Sequence, residues 1–133
     1  MIKAAISDPS VKMFDFRSQK TMYGGRNIAA GDTIFIFSSE NEGGPGLIAR
    51  GIVTSATPTA RKRGVLRQTP RVSITVKRTA LAKRPLGRSD LKPHSDWNSG
   101  RPETELNFKF YRQATNKIAG ISHDAEKFLA RFF

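Results

Sequence analysis

The sequence has no cysteine, two histidines, one tryptophan and eleven acidic residues among 133. Without cysteine, disulfides, thiolate metal sites and thiol nucleophiles are excluded. Such a chain suits a reducing compartment, and cytoplasmic is the expected location. No apolar run approaches the roughly 18–20 residues a membrane-spanning helix needs. Met1 to Ser7 is too short for a signal peptide before it meets Asp8-Pro9, so no membrane partner is expected. His94 and Asp96 offer two loop ligands where zinc takes three or four, and His123 opens a terminal helix as a solvated residue. Gly43-Gly44-Pro45-Gly46 lacks the lysine and helix of a phosphate loop, and Glu40 and Glu42 beside it repel phosphate. There is no Gly-x-Ser-x-Gly elbow, and Asp8, Asp15, Asp32 and Asp90 are too scattered to act as a carboxylate pair. No catalytic residue, metal or cofactor is assigned, and a binding module is expected rather than an enzyme.

What the chain has in excess is positive charge: formally +12, with a sequence pI near 10.8. The excess is local. Between Arg61 and Lys92 stand eleven Lys or Arg against one acid, Asp90, whereas residues 1–60 and 93–133 each carry a net +1. Charge concentrated in this way is the footprint of a polyanion, most commonly nucleic acid, RNA or DNA. Phosphate-backbone contacts are expected from Arg61, Lys62, Arg63, Arg67, Arg71, Lys77, Arg78, Lys83, Arg84 and Arg88. The segment has no broad apolar helical face with which to enter a membrane surface.

A length of 133 residues suits one domain, 1–133, monomeric by default, with a single core. Its seed is the stretch from Gly31 to Ser55. Ile34-Phe35-Ile36-Phe37 is a continuous β-prone run that reads as a strand buried on both faces. A glycine-rich loop returns it to Leu47-Ile48-Ala49-Arg50-Gly51-Ile52-Val53, giving an antiparallel hairpin. Arg71 to Arg78 alternates as a half-buried strand, with Val72, Ile74 and Val76 inward. Ile2 to Ser7 reads as a short strand. Pro9 to Gln19 reads as one or two helical turns, with Ser7 or Asp8 as N-cap. A turn of helix is expected at Ser89 to Leu91, and a strand where Leu106, Phe108 and Phe110 alternate with Asn107 and Lys109. A terminal helix, capped by Ser122, is expected from there to about Phe133. The fold class is α+β, a mostly antiparallel sheet with small helices near each end.

Several stretches, taken in order, resemble the PUA-like superfamily, and within it the EVE group related to the YTH modified-RNA readers. They are Ser7-Asp8-Pro9, Gly25-Arg26-Asn27, Gly31-Asp32 with Ile-Phe-Ile-Phe-Ser-Ser, the returning Gly51-Ile52-Val53, and Leu86 to Leu91. The last is Phe110-Tyr111-Arg112-Gln113, leading through Ile118 to Ser122 and a helix. The resemblance spans nearly the whole chain. It implies a PUA-like mixed, mostly antiparallel pseudo-β-barrel with short helices packed at the ends, whose pocket receives a flipped or modified base while basic surface holds the backbone. By position it implies pocket roles for Ser7, Asp8, Arg26, Asn27, Phe37, Ser38, Ser39, Arg112 and Gln113, with Trp97 as a stacking or lid residue. The same residues also read as caps (Ser7, Asp8), core (Phe37) and surface charge (Arg112). The chain departs from the group in lacking a tryptophan in its first strand and another before Arg26-Asn27. Phe14, Phe16, Tyr23 and Trp97 are the aromatics left to stand in. The alternative function is an enzyme or small-ligand sensor of the wider PUA-like group acting on a nucleotide-like molecule.

Overall fold

Both faces of the central strand are buried, and they serve two different cores. The computed structural model describes residues 1–60, 64, 69–111 and 117–133, with the backbone alone for Glu42, Trp97 and Tyr111. Strand β3, Thr33–Ser38, sends Ile34 and Ile36 into the interior of a closed barrel. It sends Phe35 and Phe37 outward, under a layer of helices. A run with no polar alternation has no face to give to water, so it is stable only where apolar matter lies on both sides.

The barrel takes the order β1, β3, β4, β5, β2, β6 around its wall. Its other strands are β1 (Ile2–Ala4), β2 (Met13–Met22), β4 (Gly46–Pro58), β5 (Arg71–Leu81) and β6 (Lys117–Ala119). The β1–β3 and β2–β6 contacts are parallel, and the other four are antiparallel. Closure gives every one of these strands a partner on each side. Ile2, Phe14, Phe16, Val53, Val72, Ile74, Val76 and Ile118 fill the interior with Ile34 and Ile36. Three helices, α1 (Arg88–Leu91), α2 (Pro102–Tyr111) and α3 (His123–Ala130), cover the β3 side. They bury Leu91, Leu106, Phe110 and Leu129 with Phe35, Phe37 and Leu47. The expected class, a mixed and mostly antiparallel pseudo-barrel with short helices, is the one observed.

Two expected elements change type. Residues 9–19 are not helical: the segment from Met13 is β2, with Phe14 and Phe16 buried and Met13, Asp15 and Arg17 exposed. The capping signal at Asp8 is real but closes only a turn, since its carboxylate accepts from the Ser10 amide (2.9 Å) and hydroxyl (2.6 Å). Conversely, the expected strand at Leu106–Phe110 is the middle of α2. Leu106 and Phe110, four residues apart, share its buried face while Phe108 is half-buried. Pro102 begins that helix, and Glu103 and Glu105 complement its first turn. Strand β1 ends at Ala4 rather than Ser7.

Glu105 joins α2 to α3. Its carboxylate accepts from the Ser122 amide (2.7 Å), from the Ser122 hydroxyl and from Lys109 (3.0 Å), and the same hydroxyl accepts from the Ala125 amide to cap α3. Lys109 also donates to the Gly120 carbonyl (2.8 Å).

Candidate nucleic-acid interface

Strand β5 carries its charge outward because Val72, Ile74 and Val76 take the inward positions. Arg71, Lys77, Lys83, Arg84 and Arg88 are exposed and Arg78 is half-buried. Among the described residues none of the six forms an ion pair. Three are held by neutral partners instead. Arg71 donates to the Ser18 carbonyl (2.9 Å), Arg78 to the Ser10 carbonyl (2.8 Å), and the Arg84 guanidinium lies 4.5 Å from the Phe132 ring centroid. These contacts orient the cations without neutralising them. Arg61, Lys62, Arg63 and Arg67 lie outside the described residues.

The sequence reading missed the contribution of β2, because helical turns ending at Gln19 put no strand through Lys20. As a strand, β2 runs antiparallel to β5 and places Met13 opposite Lys77 and Lys20 opposite Arg71. On its other side β2 runs parallel to β6, with Lys20 opposite Lys117. Arg71, Lys20 and Lys117 therefore lie in one row across three strands. The signal that could have shown this is the alternation Met13-Phe14-Asp15-Phe16-Arg17, which has the period of a strand.

The expected pocket residues separate to opposite ends of the barrel. Ser38 is the last residue of β3, opposite Ala4 of β1, and the Ser39 amide donates to the Ala4 carbonyl (2.8 Å). Ser7 and Asp8 continue from β1 at that end and are exposed, while Ser38 and Ser39 are buried. Hydrogen bonds from the Ser10 hydroxyl and amide hold the Asp8 carboxyl below its ordinary range. Phe37 is completely buried, its ring centroid 4.2 Å from that of Phe110, and so presents no face to a base. Nearby, Lys3 is buried and donates to the Phe110 carbonyl (2.7 Å) at the end of α2; burial lowers its pKa, opposed by Glu40 and reinforced by Arg88. Arg26 and Asn27 stand at the other end, in a 3-10 turn (Gly25–Asn27) that follows β2, and both are exposed. Arg112, Gln113 and the Trp97 side chain lie outside the described residues.

The Arg26-Asn27 end holds a cleft of about 440 Å³. Phe35, Ile118, Ile121, Gly24 and Gly120 are among its lining residues, and Asn27, Asp32, Thr33 and Glu126 supply polar side chains. Gly25 brings the turn against β6, where a Cβ would stand 2.1 Å from the Ile118 carbonyl oxygen. Tyr23 precedes this turn with φ of +52° and is 42% exposed. Its ring stands edge-on to Phe108 (6.4 Å) with the Lys109 ammonium 4.7 Å from its centroid. The two charged side chains lining the cleft are acids, so it suits a base edge or another hydrogen-bond donor better than a phosphate.

No family model matches the chain, and no curated protein sequence matches it. Solved structures do. The DUF55 domain of human thymocyte nuclear protein 1 superposes with a TM-score of 0.64 at 18% identity, over 96% of this chain and 85% of that one. Human THYN1 protein in complex with 5-methylcytosine-containing DNA superposes with a TM-score of 0.60 at 16% identity, over 92% and 80%. The likeness is one of fold: this chain shares a mixed, mostly antiparallel pseudo-barrel with short helices with the human domain.

Proposed function

We propose that the chain is a non-catalytic module that binds nucleic acid and receives a modified base, with DNA bearing a modified cytosine as the first ligand to test. The observation that carries this reading is the shared fold with a human protein whose solved complex contains 5-methylcytosine DNA. The uncompensated cations of β5 supply what a phosphate backbone requires.

The base site we propose is the cleft beside Asn27. A cytosine offers its exocyclic amine as a donor, which a carboxylate or amide oxygen accepts. Asp32 is committed to its own turn, accepting from the Ala29 amide at 2.9 Å. That leaves Asn27 and Glu126, the latter 3.6 Å from His123 Nδ1, as the groups to read a base edge, with the half-buried Ile121 as apolar surface for a methyl group. Tyr23, next in sequence to Gly24 of the cleft lining and 42% exposed, offers a ring for stacking outside the cleft. The test compares duplexes with and without one 5-methylcytosine. Wild type is expected to prefer the modified duplex, and Asn27→Ala and Glu126→Gln to reduce that preference. Loss of preference in neither variant would move the base site elsewhere.

A further inference from the structure

We infer that the outer face of β5, β2 and β6 is a phosphate-binding surface in which Arg71, Lys20 and Lys117 act together; this rests on the nucleic-acid reading above and specifies where the backbone is held. The observation is the register. Arg71 is the direct partner of Lys20, and Lys20 of Lys117. Neighbouring strands lie about 4.8 Å apart and directly opposed residues share a face, so three basic residues stand side by side, the Lys117 ammonium donating to Met22 Sδ (3.2 Å) and Arg71 to the Ser18 carbonyl. Like charges directly opposed destabilise a sheet. Here no described acid relieves them: the one acid on β2, Asp15, is paired to Arg17 at 3.1 Å. Such a row is retained at a cost to the free protein, as binding surfaces are.

The neighbouring groups fit the same ligand. Ser73 and Thr75 lie between Arg71 and Lys77 on the outward side of β5, and Ser55 donates to the Thr75 hydroxyl (3.1 Å). Hydroxyls of this kind contact phosphate oxygens along with lysine and arginine. At the far end of β5, Lys77 and Arg78 stand six and seven residues from Arg71, about 20 Å of extended chain. Lys117 is three residues before Gly120, which lines the cleft, about 10 Å. A backbone lying on the row thus passes beside the cleft. Contacts there involve phosphate alone, so the surface contributes affinity without regard to sequence or modification.

The test is a double variant, Lys20→Gln with Lys117→Gln, assayed for binding to modified and unmodified duplexes over a range of salt. Each lost phosphate contact lowers the slope of log K against log salt by about 0.9, so a drop of about 1.8 is expected, equal for both duplexes. Lys127→Gln, an exposed change on α3, is expected to leave the slope as in wild type. An unchanged slope in a folded double variant overturns the surface while leaving the nucleic-acid reading intact. A selective loss on the modified duplex overturns the claim of modification-independent contact. Failure of the wild-type protein to bind either duplex overturns both.

Discussion

Lys20 of β2 faces Arg71 of β5 directly across an antiparallel contact, two like charges where a sheet ordinarily sets opposite or apolar partners. Neutralising one should therefore move stability and binding in opposite directions. Lys20→Gln is expected to stabilise the free protein by about 0.5 kcal/mol while weakening its hold on DNA. Thermal unfolding and duplex binding on the same preparation check this. A variant that loses both stability and binding would mean that the lysine stem supports the fold.

Phe37 separates the core role from the pocket role. It is fully buried against Phe110, so Phe37→Ala should cost about 3–5 kcal/mol in denaturant unfolding. Phe37→Leu, which keeps most of the apolar volume, should fold and retain the preference for modified DNA. A stable Phe37→Leu protein that has lost that preference would return Phe37 to the base site.

Gly25 sets the lip of the cleft. A methyl there would meet the Ile118 carbonyl at 2.1 Å, and backbone atoms on both sides leave little room to relax. Gly25→Ala is expected to destabilise by about 1–3 kcal/mol, as overpacking does. Asn27→Ala, on the exposed side of the same turn, should be nearly neutral in stability, and the contrast is read by chemical denaturation.

Glu105 gives a pH dependence with a definite sign. Burial raises its carboxyl, but the Ser122 hydroxyl and amide and Lys109 outweigh that, so its pKa lies below the ordinary 4.5. A carboxyl lowered by folding contributes stability that is present above its unfolded pKa and is lost as pH falls from there through the folded value. Wild type should lose melting temperature over that range. Glu105→Gln should start lower at neutral pH and fall less steeply, and identical profiles for the two would remove Glu105 as the linked group.

The parts of this molecule legible in the sequence were those whose pattern and burial agree. Ile34 to Phe37 had no polar face, and the structure buries both sides. Arg71 to Val76 alternated, and it is a strand with its apolar side inward. Reading failed where two periods coincided. Val11 and Phe14 have helical spacing, but Phe14 and Phe16 have strand spacing, and the barrel selected the second by filling its interior with both rings. Leu106 and Phe110 satisfy either period, and Pro102 with the acidic first turn decided for helix. The candidate site depended on pairing. Nothing local to Lys20 or Lys117 reveals that they are neighbours, because a parallel contact between β2 and β6 joins residues nearly a hundred positions apart. For the same reason, Arg26-Asn27 and Ser38-Ser39 looked like parts of one pocket until the strand directions put them at opposite ends.

The central claim, that this barrel binds nucleic acid through its uncompensated basic face, is tested most directly by titrating wild-type protein with a 5-methylcytosine duplex and its unmodified counterpart at stepwise salt concentrations. The expected result is binding to both, tighter for the modified duplex, with log affinity falling linearly against log salt by several units of slope. No binding to either duplex at low ionic strength, or an affinity indifferent to salt, would contradict it.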